Sequence, residues 1–326
     1  MLQIGILLIQ HYKLLSLAAI TDVLETVNKI YLQREAAAPF KITLVYTQES
    51  KSITYAFPNY HSEPLEQGSR FNLVLVPSFT TDNLPQSVAD NVAFLPWLQS
   101  QYQQGAEIAS FCTGAFLLAA SGLLNGRIAT THVDCCKAFS AAFPSVNLLP
   151  DKTVTHDEGI YTSGGATSTF NLLLHLLEIH LGIETAIRTA KIFAVDMGRD
   201  KQHYFSTFQP TRQHNDELVA ATQDKIETKY QEAGTIEEII KDIPSSRRNI
   251  VRRFKQATGF TPIEYLQYTR IEAAKKMLEQ TGEQMTSIIL SSGYNDPKAF
   301  RKVFRKTVGM TPTEYREKFN ASAHRS

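Results

Sequence analysis

A twenty-residue pattern occurs twice in the chain at a constant offset of fifty positions. Residues 246–265 read S-R-R-N-I-V-R-R-F-K-Q-A-T-G-F-T-P-I-E-Y, and residues 296–315 read D-P-K-A-F-R-K-V-F-R-K-T-V-G-M-T-P-T-E-Y. Phe254 matches Phe304, Gly259 matches Gly309, Thr261-Pro262 matches Thr311-Pro312, and Glu264-Tyr265 matches Glu314-Tyr315. A register that holds across the whole motif indicates a duplicated supersecondary unit.

Each copy carries its own boundaries. Ser246 and Asp296 suit helix N-caps. Gly259 and Gly309 suit the C′ position, where a left-handed residue is needed. The Thr-Pro that follows opens another helix with proline at its first turn. Inside each copy the apolar residues, Ile250, Phe254 and Ala257, then Phe300, Val303, Phe304 and Val308, fall at helical spacing and define one buried face. The other face holds Arg247, Arg248, Arg252, Arg253 and Lys255 in the first copy. In the second it holds Lys298, Arg301, Lys302, Arg305 and Lys306, with no acid after Asp296.

A charge run on a single helix is ordinarily a solvated face; two acid-free basic faces in strict repeat weaken that reading. A short helical segment and a turn precede each one: 235–241 then Asp242-Ile243-Pro244, and 284–291 then Ser292-Gly293-Tyr294-Asn295. Helix, short turn, basic helix is the helix-turn-helix, whose second helix enters the major groove. Between the copies, residues 263–279 lack Gly and Pro and predict a rod of roughly 25 Å at about 1.5 Å per residue. Such a rod suits two helices aimed at successive major grooves, about 34 Å apart.

The residues R-R-F-K-x-x-x-G-F-T-P-x-E-Y, R-I-E-A-A-K-K-M-L and S-G-Y-N-D-P-K-A-F-R-K-V-F-R-K-x-x-G-M-T-P-x-E-Y-R resemble the AraC/XylS family of transcription regulators over residues 216–319. Ile288-Ile289-Leu290 departs from the family's more usual Ile-Ala, a change of packing. The resemblance implies that Arg248, Val251 and Arg252 face bases in one groove and Lys298, Arg301 and Lys302 in the next. Arginine suits guanine through its bidentate fork. Arg247, Arg253, Lys255, Arg305 and Lys306 are then expected on phosphates. The copies are not equivalent, since Arg248-Asn249 becomes Lys298-Ala299; an asymmetric pair of groove contacts is expected from each chain.

At 326 residues the chain suits two domains, or three small ones. Charge nearly cancels overall, 33 Lys+Arg against 32 Asp+Glu. Residues 216–326 hold 19 basic and 15 acidic residues, leaving 14 and 17 for the remainder. Three cysteines, two adjacent, make no disulfide framework and fit a reducing cytosol. The N-terminus lacks a basic n-region and a cleavage site, and the most apolar stretch, 172–183, is interrupted by His175, Glu178 and His180. A cytoplasmic protein with no membrane span is expected.

Strands are predicted at 3–9, 40–47, 71–77 and 106–111, with short ones near 153–155 and 160–162. Helices are predicted at 17–30, 92–104, 113–121, 168–180 and 184–195. Alternation of this kind implies a parallel α/β sheet covered on both faces, flavodoxin-like in class, followed by an all-α domain with two helix-turn-helix units. The expected domains are 1–199, a linker at 200–222 without clear period, and 223–320, its two units joined by helix 263–279.

One turn of the first domain has the look of chemistry. A-E-I-A-S-F-C-T-G-A-F-L-L-A places Cys112 between a strand and a helix, as in a nucleophile elbow. Such a residue faces the edge where open α/β sheets bind ligands. A buried core thiol is the plainer alternative. With G-L-L-N-G-R-I-A-T-T-H, the stretch resembles the PfpI/class-I glutamine amidotransferase-like superfamily across residues 3–195. Joined to an AraC-type domain, this is the order of the GlxA-type regulators.

In that superfamily's enzymes the elbow cysteine works with a histidine and a carboxylate. Here Thr113 follows the cysteine where hydrolytic members often have His, and Ser16 stands at the carboxylate position. His132, twenty positions after Cys112, is the remaining base. A thiol without base and orienting acid is a weak nucleophile. The expectation is therefore a small-ligand pocket around Ser16, Cys112, Thr113, His132 and Gly165, with no catalysis, no cofactor and no metal. A Cys112-dependent amidohydrolase or glyoxalase-like enzyme and a thiol redox sensor are the alternatives. Gly164-Gly165 is read as a close approach near the elbow, since no phosphate-loop motif is present. His156, His175 and His180 show no ligand spacing.

The expected partners are double-stranded promoter DNA, a small effector, which the resemblance suggests is a nitrogen-containing metabolite, and a second copy through the first domain. RNA polymerase is a further expected partner.

Overall fold

A computed structural model describes residues 1–34, 37–80, 82–165, 167–197, 202, 208, 212, 214–232 and 234–320. The chain divides into two compact units, Met1–Gln202 and His203–Ser326.

The first unit opens with β1 (Leu2–Leu8), α1 (Leu14–Leu32), β2 (Phe40–Tyr46), β3 (His61–Pro64), β4 (Leu73–Val76), α2 (Leu84–Ala89) and α3 (Phe94–Gln103). It continues with β5 (Glu107–Ser110), α4 (Gly114–Ala120), β6 (Ile128–Ala129), α5 (Cys136–Ala142), β7 (Asn147–Leu148), β8 (Val154–Asp157), β9 (Ile160–Ser163), α6 (Ser168–Leu181) and α7 (Ile183–Phe193). Strand side chains alternate between the two faces, so a sheet covered on both sides needs apolar residues at every position. Ile4, Ile6, Leu8, Leu73 and Leu75 pack with Leu17, Ile20 and Leu24 of α1 and Leu173 of α6. Their neighbours Leu7, Val74 and Val76 pack on the opposite face with Leu98 of α3 and Leu117 of α4.

Among the described residues the large sheet has the order β3-β2-β1-β4-β5-β9-β8. All neighbours pair in parallel except β8 and β9, which run antiparallel with Thr155 opposite Thr162. The expected parallel α/β sheet is present and carries one antiparallel edge strand. The two-residue connection Glu158-Gly159, both at positive φ, is too short for a parallel crossover and folds as a hairpin. From β1 the chain moves outward through β2 to β3, then returns to β1's other side with β4. The β1/β4 boundary is the switch point at which open sheets form ligand crevices.

The second unit contains α8 (Glu217–Lys229), α9 (Ile236–Ile240), α10 (Arg247–Thr258), α11 (Pro262–Gln280), α12 (Met285–Ser291), α13 (Pro297–Val308) and α14 (Pro312–Phe319). Much of the 200–222 segment read as a linker lies outside the described residues, as does the 199 boundary. Within it, Gln202 belongs to the first unit and α8 already begins at Glu217, where the Asp216 carboxylate caps the Val219 N–H at 3.1 Å. Helix α8 shows little periodicity because only Val219, Thr222, Gln223 and Ile226 are buried, two of them polar.

Candidate functional site

The two basic helices sit in matching frames. Ser246 caps α10 through the Asn249 N–H, Asp296 caps α13 through the Lys298 N–H, and Gly259 and Gly309 end them at φ 76° and 84°. Thr261 and Glu264, then Thr311 and Glu314, form reciprocal capping boxes at the starts of α11 and α14. Ile250 and Phe254 of α10, and Phe300 and Phe304 of α13, are buried at equivalent positions. The Tyr265 hydroxyl donates to Glu227 of α8, and the Tyr315 hydroxyl donates to Glu279 of α11.

Arg248, Arg252, Lys255, Lys298, Arg301, Lys302, Arg305 and Lys306 all stand exposed, and Val251 is half-buried. Among the described residues none of these eight cations has a carboxylate within ion-pair distance. Two others differ. The Arg253 guanidinium donates twice to Asp216, at 2.7 and 2.8 Å, and Arg247 lies 2.6 Å from Glu237. The mutual effect holds the Asp216 carboxyl below its ordinary range. Arg253, expected on a phosphate, is instead committed within the fold, because the N-cap of α8 comes up beside it. Its sequence neighbours gave no sign of this; the partner lies 37 positions away.

Repeat is tied to repeat by Arg270, from the middle of α11. It donates to the carbonyls of Tyr230 (2.8 Å), Glu232 (2.9 Å) and Gly234 (3.2 Å), and its guanidinium lies over the Tyr294 ring. Fifty positions on, Asn320 plays the same part for the second repeat, donating to the carbonyls of Leu278 and Thr281. Gly293 stands at φ 86°, where an added Cβ would be 2.1 Å from the Tyr230 oxygen.

In the first unit the loops after β1, β4 and β5 meet at the switch point. The Lys13 N–H donates to the Ser78 carbonyl (2.8 Å), and the Ser78 N–H donates to the Ser16 hydroxyl (3.1 Å). The Thr113 hydroxyl accepts from the Phe79 N–H (3.0 Å) and donates to the Phe79 carbonyl (2.7 Å). Cys112 has φ 55°, a left-handed conformation costly for a residue with a Cβ and characteristic of an elbow. Its N–H donates to Ser163, and its carbonyl accepts from the Thr131 hydroxyl at 3.0 Å.

The Cys112 side chain is 1% exposed, and burial pushes its thiol up to about 11 despite the nearby Lys13 charge. Burial also lowers the His132 pKa. The His132 Nδ1 accepts from the Asp134 N–H at 3.2 Å, and the other edge of the ring faces Gly165. No hydrogen bond among the described residues joins it to the Cys112 thiol. Ser16, Thr113 and Cys112 are thus brought together, but with both hydroxyls already engaged by backbone. Lys13 escaped the sequence reading, although it lies one helical turn before Ser16. Gln202 also escaped it; it packs against Gly164-Gly165 and bonds Thr131, in a stretch with no pattern to mark it.

Two family models match the chain: the DJ-1/PfpI family over residues 20–179 and a helix-turn-helix domain over residues 241–318. The chain is 26% identical over 337 residues to the HTH-type transcriptional regulator GbdR of Pseudomonas aeruginosa, covering 96% of this chain and 84% of that one. It is 24% identical over 328 residues to the HTH-type transcriptional regulator GlxA of Rhizobium meliloti, covering 97% and 96%. To the regulator ArgR of Pseudomonas aeruginosa it is 29% identical over 255 residues, covering 77% and 74%. No helix among the described residues is long and apolar enough to cross a membrane. The chain joins a DJ-1/PfpI domain to an AraC-type helix-turn-helix domain and belongs with the DNA-binding transcriptional regulators of that architecture.

Proposed function

We propose that α10 and α13 read promoter DNA in adjacent major grooves, and that the elbow of the first unit takes a small effector without transforming it. One observation carries the reading: two basic helices bury equivalent positions fifty residues apart, and every cation on them except Arg253 is exposed. Arg248, Val251 and Arg252, with Lys298, Arg301 and Lys302, are the base-facing set. Lys255, Arg305 and Lys306 hold phosphates, which adds affinity without sequence choice. A second copy pairs through the first unit, and RNA polymerase is met at the promoter. The protein works in the cytoplasm, where its DNA lies.

At the elbow, a thiol raised to about 11 is almost wholly protonated near neutral pH, so it supplies little nucleophile. The hydroxyls of Ser16 and Thr113 stand where an enzyme of this kind has an acid and a base. Both features favour a binding floor over a catalytic centre, and the same raised thiol disfavours redox sensing. The floor is polar on the Ser78–Phe79 side, and Lys13 adds a cation. An effector that carries an anionic group fits it.

The DNA reading is tested on a duplex selected by the protein from a random pool. Arg252→Ala should cost about 1–3 kcal/mol there and relax the choice of base at one position. Unchanged affinity and unchanged preference would sink the placement of α10. For the elbow, Cys112→Ser should keep DNA binding. A turnover of amide or dicarbonyl substrates that disappears in this variant would instead make the protein an enzyme.

A further inference from the structure

Gln202 closes the first unit, and only 1% of it is exposed. Its side chain is completely spoken for. Nε2 donates toward the Thr131 carbonyl (2.9 Å), the Pro150 carbonyl (3.1 Å) and the Thr130 hydroxyl (3.1 Å), and Oε1 accepts from the Gly165 N–H (2.9 Å). The Gln202 N–H itself donates to Asp151 at 3.0 Å. Acceptors converge on one end of the head group and a donor on the other. A primary carboxamide has two N–H donors and a carbonyl acceptor on one plane. A carboxylate lacks the donors, and an ammonium lacks the acceptor.

Gly164 makes the room. A Cβ built there would stand 1.9 Å from Oε1 and 2.3 Å from Cδ of Gln202, so any side chain at 164 evicts the carboxamide. The wall of this cradle is also the wall of the elbow. Thr131, which holds the Gln202 nitrogen through its carbonyl, holds the Cys112 carbonyl through its hydroxyl. Gly165, which holds the Gln202 oxygen, faces the His132 ring.

We propose that Gly164, Gly165, Thr130, Thr131 and Pro150 form a primary-carboxamide site that the chain fills with its own Gln202. The side chain latches residue 202, where the first unit ends, against the elbow. A tethered group competes at an effective concentration of roughly millimolar or more, so a free amide enters only where the latch is absent or released.

The full chain is compared with Gln202→Ala, which empties the cradle, and Gly164→Ala, which fills it with a methyl. The Gly165 N–H, which donates to the Gln202 oxygen, should exchange with solvent deuterium about tenfold faster or more in both variants, since either change removes its acceptor. The double variant should match the singles. Propionamide, the glutamine head on the same stem, should raise the thermal midpoint of Gln202→Ala alone; propionate should not. Gln202→Glu keeps the volume and serves if the alanine variant fails to fold; its carboxylate cannot donate to the Thr131 and Pro150 carbonyls, and the Gly165 N–H should again exchange faster. Exchange of the Gly165 N–H at the wild-type rate in the Gln202 variants overturns the latch. Equal response of wild type and Gln202→Ala to propionamide overturns the site.

Discussion

Two arginines that look alike in sequence should behave differently on DNA. Arg305 on α13 is exposed with no carboxylate in ion-pair range among the described residues, whereas Arg253 on α10 is doubly bonded to Asp216. Ten basic side chains were expected on the two helices. The ion pairs of Arg253 and Arg247 leave eight without a carboxylate partner. Each cation that neutralises a phosphate adds about 0.9 to the slope of log affinity against log salt, so the eight set a ceiling of about 7. Arg305→Ala should lower the slope by about one. At 0.1 M salt, one decade below the 1 M reference, that is close to an eightfold loss of affinity.

For Arg253 the control must stay neutral, because removing the arginine alone strands a carboxylate beside the DNA. The double variant Asp216→Asn/Arg253→Ala removes both charges and keeps a good N-cap for α8. Its slope should equal that of the wild type, while the thermal midpoint of the second unit falls. Fluorescence anisotropy of a labelled duplex, titrated across about 50–200 mM salt, reads both slopes. If the double variant loses a full unit, as Arg305→Ala does, Arg253 leaves Asp216 for a phosphate in the complex and the two arginines are alike on DNA.

Three other outcomes follow from the same geometry. Gly293→Ala places a Cβ 2.1 Å from the Tyr230 oxygen at φ 86°, and should cost the second unit about 2–4 kcal/mol in urea unfolding of the full chain; a loss under about 0.5 kcal/mol would refute the close approach. With its thiol raised to about 11, Cys112 should be ionised in about one molecule per thousand at pH 8, so iodoacetamide should label it far more slowly in the native chain than in urea. Labelling at the free-thiol rate would show an open, activated cysteine. The Thr261 N–H and hydroxyl hold the Glu264 carboxyl below its ordinary 4.5. A depressed folded value means that this contribution is complete above 4.5 and is lost as the pH falls below it. The acid-side decline in thermal midpoint should therefore be shallower in Glu264→Gln, and an unchanged profile would remove the capping box as its source.

The second unit was legible because its signals are local and occur twice. Caps at Ser246 and Asp296, glycines at 259 and 309, and the Thr-Pro starts each fix a boundary from a few adjacent residues, and the structure sets each helix within a residue or two of them. In the first unit β1 and β4 were legible as continuous apolar runs. Strand β3 was not: His61-Ser62-Glu63-Pro64 is a polar edge, held by pairing to β2 and not by a buried face. The elbow could be read from strand, cysteine and glycine in a row. What surrounds it could not, since Lys13, Ser78, Thr131 and Gln202 come together only through the strand order. Arg253 is the clearest case: nothing near it in the chain announces Asp216.

Helix α11 explains why duplication produced one unit and not two beads. Its Tyr265 and Leu266 belong to the first core; its Ile271, Ala274 and Leu278 belong to the second. Glu279 near its end receives the Tyr315 hydroxyl, just as Glu227 of α8 receives that of Tyr265. The helix therefore closes the first repeat and opens the second. Nineteen residues without a glycine or an internal proline span about 28 Å, and one continuous hydrogen-bond ladder resists bending between them. Arg270 sits where the two cores meet, with its guanidinium on three carbonyls of the first repeat and beneath the Gly293–Tyr294 turn of the second. Asn320, its counterpart, donates to the Leu278 and Thr281 carbonyls of the second repeat. With α11 shared by both cores and Arg270 across their junction, the spacing of α10 and α13 is set inside the protein before any DNA arrives. A pre-set spacing lowers the ordering cost of binding and lets a mismatch in either groove count against the whole contact.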